Sequence, residues 1–169
     1  LHYPDTGAWY YEQHELGFNY RMTDLQAALG LSQMARLDPF TARRREKALY
    51  YQASLKDSGL TLPPDAAWAD SAGHLYVVQV PEPGWRRPLF DDLRQKGILV
   101  NVHYLPVYRH PYYARLGFAR GYCPDAEYYY ERALTLPLYP GLTTEQQDYV
   151  VHHIQAGLAQ ASMRRTQRP

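Results

Sequence analysis

His103 is the residue that type and spacing best qualify for chemistry in this chain. It ends the run Ile98-Leu99-Val100-Asn101-Val102-His103, a predicted strand with Ile98, Val100 and Val102 on one face and Asn101 and His103 on the other. Tyr104, Pro106, Tyr108, Arg109, His110, Tyr112 and Tyr113 follow it. A histidine with tyrosines and arginines at a strand end can line a cleft for a polar, ring-shaped or anionic ligand. An ordinary surface histidine fits the same spacing, and the two readings stay open here. The second candidate is Gly17-Phe18-Asn19-Tyr20-Arg21-Met22-Thr23-Asp24. Asn19 and Arg21 precede a predicted helix start, where free N–H groups and an arginine favour an anion. Capping plus a salt bridge would account for the same residues. His152 and His153 are adjacent on a predicted helix, point apart and are poorly placed to share a metal, so no metal site is expected. The chain has no GxGxxG, P-loop, HExxH or GxSxG motif.

These candidates sit in a readable series of elements. Residues 1–21 show no sustained period, and Pro4-Asp5-Thr6-Gly7 is turn chemistry. Thr23 and Gln26 match the capping box, and Leu25, Ala28, Leu29, Ser32 and Ala35, widened by Leu31 and Met34, give a helical stripe. Pro39 marks a break. A second helix is predicted from about Thr41 to Lys56, opened by Arg43-Arg44-Arg45 as a solvated face and carrying Ala48, Tyr51 and Leu55. A loop with Pro63-Pro64 and Asp70-Ser71-Ala72-Gly73 leads to a strand over Leu75 to Val80. Pro88 to Lys96 reads as a helix burying Leu89, Phe90 and Leu93, with Gly97 at its C′ position, before the strand that ends in His103. Tyr104 to Cys123 is a structured loop, Pro124 to Leu134 a helix, and Leu136 to Gly141 a rigid connector. Thr143 and Gln146 repeat the capping spacing before a closing helix with Val150, Ile154 and Leu158 inward, and the tail from Ser162 is expected to fray. The expected class is α/β, a small sheet with helices packed on one side.

Composition bounds the rest. The 169 residues suffice for one domain with a core, or for a piece of something larger. With 18 Lys and Arg against 17 Asp and Glu, the net charge of +1 gives no field for non-specific nucleic-acid binding. No apolar run approaches a membrane span, so no membrane partner is expected. The one cysteine, Cys123, points to a reducing compartment, and the expected location is cytoplasmic. Tyrosine is abundant at 17 residues and suits half-buried polar clefts, though compositional drift explains it as well. The opening at Leu1 reads as the middle of a longer chain.

The run Glu15-Leu16-Gly17-Phe18-Asn19-Tyr20-Arg21-Met22-Thr23-Asp24-Leu25-Gln26-Ala27-Ala28-Leu29-Gly30-Leu31-Ser32-Gln33 closely resembles a signature of the DegT/DnrJ/EryC1/StrS nucleotide-sugar aminotransferases. The resemblance continues through Gly97-Ile98, Val102-His103-Tyr104-Leu105-Pro106-Val107-Tyr108 and Tyr112-Tyr113, and closes with Ala126-Glu127 and Leu136-Pro137-Leu138-Tyr139-Pro140-Gly141-Leu142-Thr143. Trp9-Tyr10-Tyr11-Glu12 and Leu31-Ser32-Gln33 look most like the transaminases of the pseudaminic acid pathway.

The resemblance implies the C-terminal portion of a fold-type I enzyme dependent on pyridoxal 5'-phosphate. Such an enzyme moves an amino group from glutamate to a keto carbon of a nucleotide-linked deoxy sugar and works as a homodimer with shared sites. It implies that Asn19 reaches the cofactor phosphate of the neighbouring subunit's site with Arg21 close by, and that His103, Tyr104 and Tyr108 border the sugar. It divides the chain into residues 1–22 from a large cofactor domain, connecting helices over 23–56, a small α/β domain over 57–161 and a polar tail over 162–169. The family's Schiff-base lysine segment has no counterpart here, since Lys47, Lys56 and Lys96 all sit in amphipathic helical contexts. No catalytic residue is therefore assigned within the chain, and it is expected to be inactive alone. Two other readings remain: a sugar dehydratase of the same family, and a non-catalytic module that binds a nucleotide sugar or a protein.

Overall fold

A computed structural model describes residues 6–64 and 69–166, without the side chains of the last two. Pro4 and Asp5 of the predicted turn, and the last three residues of the predicted tail, lie outside the described residues. Helix α1 spans Asp24–Met34 and α2 spans Leu37–Leu55. Strand β1 is Tyr76–Gln79 and α3 is Pro83–Gln95. A 3-10 turn at Val107–Arg109 and the short α4, Pro111–Ala114, lie within the aromatic loop. Helix α5, Pro124–Arg132, runs directly into β2, Ala133–Leu136, and α6 closes the chain over Thr144–Thr166.

β1 and β2 pair antiparallel, with Tyr76 opposite Leu136 and Val77 opposite Thr135. A bridge from Thr61 to Gln79 extends one edge and a bridge from Asn101 to Thr135 the other. β1 and β2 are thus both flanked on each side. Tyr76, Val78, Leu134, Leu136, Val100 and Val102 are buried together with Tyr51 and Leu55 of α2, Leu89, Phe90 and Leu93 of α3, and Val150, Ile154 and Leu158 of α6. Helices therefore cover one face of a small sheet, as expected from the pattern.

Several local predictions need correction. The predicted strand over 98–103 keeps its alternation, but joins the ladder only at Asn101. The helix predicted to Leu134 stops at Arg132, and the next four residues are a strand that sequence reading missed. The second helix begins at Leu37, four residues before the predicted start, because Pro39 occupies its first turn, where a missing N–H costs nothing. Arg43-Arg44-Arg45 therefore lies inside α2, where Arg45 pairs with Asp70 at 2.6 Å and only Arg43 is fully solvated. The closing helix also continues through Ser162 to Thr166 instead of fraying.

Two helix ends follow their predicted chemistry closely. At α3, Gly97 has φ 77° and donates to Arg94 O, while Ile98 N donates to Leu93 O; this Schellman pair turns the chain into the segment that carries His103. At α1, Thr23 Oγ1 accepts from Gln26 N and Gln26 Oε1 accepts from Thr23 N, the predicted capping box. The stripe behind that cap behaves differently. α1 buries no residue, and Leu25 is 85% exposed, because no described part of the chain packs on it.

Residues 6–15 are anchored to the helix-and-sheet core, and Trp9 is the anchor. Its ring meets Phe90 edge-on at 4.5 Å and its Nε1 donates to the Tyr130 hydroxyl at 3.3 Å. The buried Arg86 guanidinium lies 4.8 Å from the Trp9 ring and 4.6 Å from the Tyr130 ring, and donates to Tyr130 O. Gly7, at φ 131°, lets the chain bend over this ring: a Cβ there would fall 2.4 Å from Trp9 carbons.

Candidate functional site

His103 and Tyr104 come together beside the edge where Asn101 bridges to Thr135. Their rings meet edge-on at 4.5 Å, with Tyr104 exposed and His103 half-buried. His103 Nδ1 lies 2.8 Å from Thr135 Oγ1, a contact made possible by the bridge that sets Asn101 opposite Thr135. Burial, and secondarily the neighbouring His74, hold the His103 pKa below the ordinary imidazole value. Nε2 has no hydrogen-bond partner among the described residues. Thr135 was not legible as a site residue, since the sequence around it reads as a helix end and a connector.

Tyr108 is turned elsewhere. Its hydroxyl donates to Glu127 Oε1 at 2.5 Å and lies 3.3 Å from both Cys123 N and Cys123 O. Glu127, buried on α5, also accepts from Gly121 N at 2.7 Å. The Tyr108 hydroxyl first, then the Gly121 N–H, hold this carboxylate below its usual pKa range. The pair fastens the loop after His103 to α5. The Tyr108 hydroxyl is engaged within the chain, and its ring meets Tyr122 edge-on at 5.4 Å.

His110 ties residues 11–14 to the same loop. Its Nδ1 accepts from Gln13 N at 3.2 Å, Tyr112 N donates to Gln13 O at 2.9 Å, and Tyr11 packs 5.2 Å from the His110 ring. Only a neutral imidazole can accept at Nδ1. Burial lowers the His110 pKa, with Glu12 opposing the shift. A folded-state pKa below the unfolded value means that the unfolded chain binds the extra proton first as pH falls. This contribution is therefore complete above about pH 6.5 and is lost as pH drops from there through the folded pKa. The drop in melting temperature between pH 7.5 and 5.5 is expected to be smaller in His110→Gln than in the wild type; equal drops would exclude this role for His110.

Asn19 and Arg21 form a unit of their own. Asn19 Oδ1 accepts from Arg21 N at 3.2 Å, and Arg21 holds a left-handed backbone at φ 62° just before the capped start of α1. This conformation costs roughly 1–2 kcal/mol for a non-glycine residue. The Asn19 NH2 and the Arg21 guanidinium are exposed and have no ion pair or hydrogen-bond partner among the described residues. Hydrogen-bond donors only, beside a helix N-terminus, fit the phosphate end of a cofactor such as pyridoxal phosphate. Among the described residues no group of three or more His, Cys, Asp or Glu is placed to hold a metal ion.

The DegT/DnrJ/EryC1/StrS aminotransferase family matches residues 4–155 of the chain. The chain belongs to this family. DegT/DnrJ/EryC1/StrS aminotransferases depend on pyridoxal phosphate, and one neighbour is solved in both PLP and PMP forms. The chain is 39% identical over 158 residues to the spore coat polysaccharide biosynthesis protein SpsC of Bacillus subtilis, covering 90% of this chain and 41% of that protein. It is 40% identical over 147 residues to the erythromycin biosynthesis sensory transduction protein EryC1 of Saccharopolyspora erythraea, covering 85% and 39% of the two chains. Among solved structures, the apo form of the putative sugar aminotransferase Spr1654 from Streptococcus pneumoniae superposes with a TM-score of 0.80 at 28% identity, covering 86% of this chain and 37% of that one. Helicobacter pylori PseC, an aminotransferase involved in pseudoaminic acid biosynthesis, gives 0.75 at 28% identity, with 86% and 40% covered. The chain thus spans about two fifths of the length of the relatives it matches. No helix among the described residues is long and apolar enough to cross a membrane.

Proposed function

We propose that this chain is the C-terminal portion of an enzyme that transfers an amino group from glutamate to a keto carbon of a nucleotide-linked deoxy sugar. The observation that carries the reading is the family match over residues 4–155, joined to the open donor pair of Asn19 and Arg21. Pyridoxal phosphate, when bound, supplies the electron sink for moving the amino group. The Asn19 NH2 and the Arg21 guanidinium hold its phosphate in the neighbouring subunit's site, so the working unit is a homodimer. His103 and Tyr104 orient the sugar, and Tyr108 borders it through its ring. The division at residues 22, 56 and 161 belongs to this reading, with the first segment secured on the small domain by Trp9. So does a cytoplasmic location, where sugar nucleotides are made.

The chain alone is proposed to be inactive. The Lys96 ammonium is held by both oxygens of Asp92 at 2.7 and 2.6 Å, while Lys47 lies on α2 and Lys56 at its end. None of these lysines stands near the start of α1 in sequence, and the lysine of the reaction belongs to the preceding domain. In the full-length protein, His103→Ala is expected to lower kcat/KM for the keto sugar by about 100-fold, as for loss of a well-oriented hydrogen bond plus its ring contact. Cofactor content, read from absorbance, is expected to stay near the wild-type value. Loss of cofactor with an unchanged sugar KM would overturn the assignment of His103 to substrate.

A further inference from the structure

We propose that Thr135 is a positioning residue that holds His103 as an Nε2–H donor, so that the substrate atom facing this ring is an oxygen acceptor. The proposal rests on the reading that His103 meets the sugar, and adds to it which residue sets the ring and which kind of atom the ring can receive.

Thr135 is fixed by its backbone on both sides. On β2 it stands opposite Val77 of β1, and on its other side it exchanges both main-chain hydrogen bonds with Asn101, at 3.1 and 2.8 Å. Asn101 and His103 lie two residues apart on one face, so the bridge also sets the height at which the His103 ring stands. The Thr135 hydroxyl belongs to a residue only 5% exposed, and its one partner among the described residues is His103 Nδ1 at 2.8 Å.

That isolation decides the direction of the hydrogen bond. A neutral imidazole carries one N–H and one acceptor nitrogen. Were the proton on Nδ1, it would donate to Oγ1, and the buried hydroxyl hydrogen would be left with no acceptor. With the proton on Nε2, the hydroxyl donates to Nδ1 and both groups are satisfied. A doubly protonated ring recreates the first problem, and burial beside His74 opposes it further. The ring therefore offers the cleft one N–H, which suits a carbonyl, hydroxyl or phosphate oxygen of a nucleotide sugar and does not suit an ammonium.

The tautomer can be read without substrate. In long-range ¹H–¹⁵N spectra of the labelled chain at pH 7.5, with the His103 signals assigned by their loss in His103→Gln, the expected pattern is protonated Nε2 and bare Nδ1. Thr135→Ser should keep that pattern, and Thr135→Val, nearly the same shape without the hydroxyl, should give a mixture of tautomers. An Nδ1–H tautomer in the wild type would overturn the proposal, whatever the variants do. So would an unchanged pattern in Thr135→Val that keeps the wild-type circular dichroism. In the full-length protein, Thr135→Val is expected to raise the KM for the keto sugar by roughly fivefold to tenfold, the worth of one hydrogen bond. The KM for glutamate should not move, and Thr135→Ser should restore the sugar KM. If the tautomer shifts while the sugar KM stays at the wild-type value, the role of Thr135 stands and the assignment of His103 to the sugar falls.

Discussion

Two inactive full-length variants, Asn19→Asp and one lacking the upstream lysine, are expected to regain activity when they are refolded together. The substitution at Asn19 is unusually clean. Asp keeps the oxygen that accepts from Arg21 N, so the turn at φ 62° is retained, and only the outward NH2 becomes a charged oxygen. Against a cofactor phosphate at ~4 Å, two like charges cost on the order of 4 kcal/mol at an effective dielectric of about 20, close to a thousandfold in affinity. Each homodimer then has a defect in both of its sites. In a mixed dimer, an Asn19 that serves the opposite subunit brings both lesions into one site and leaves the other intact. The expected activity approaches half that of wild type per mixed dimer. A mixture that stays inactive although mixed dimers are seen by native mass spectrometry would mean that Asn19 does not act across the interface.

The second large effect is on stability. Trp9→Ala removes an aromatic that is only 8% exposed, and with it one wall of the Arg86 site. Large-to-small changes of this kind cost about 3–5 kcal/mol, against a total stability of roughly 5–15 kcal/mol for a domain. Arg86 makes the loss worse, because its guanidinium is already disfavoured by burial and would keep the Tyr130 ring and carbonyl without the indole that faces them. Urea unfolding followed by circular dichroism should show a much lower midpoint, and proteolysis should cut the variant first near residues 6–15. A loss of less than about 1 kcal/mol would mean that the Trp9–Arg86–Tyr130 stack contributes little beyond shape.

Local chemistry was legible in the sequence wherever neighbours in the chain supply both partners. Thr23 with Gln26, Thr143 with Gln146, and Gly97 after α3 all make the predicted bonds. β2 was not legible because all four of its residues are buried, so the alternation that betrays a half-exposed strand is missing, and it follows a helix without a loop. Type and spacing singled out Asn19, Arg21 and His103, and the resemblance gave them their expected roles along with Tyr104 and Tyr108. Thr135, 32 residues from the histidine it touches, and His110, bound to Gln13 across 97 residues, depend on contacts that no local spacing encodes. Glu127 shows the intermediate case: its motif was visible, but its hold on Tyr108 needed the folded loop.

The backbone at Arg21 has one more consequence. Glycine would occupy that left-handed conformation with far less strain, so a redesign of this chain for thermostability alone would choose glycine there and delete the guanidinium. On the proposed reading, position 21 sets folding and phosphate recognition against each other. The strain fixes only the backbone at the foot of that side chain, and the exposed guanidinium keeps its rotamer freedom until an anion orders it.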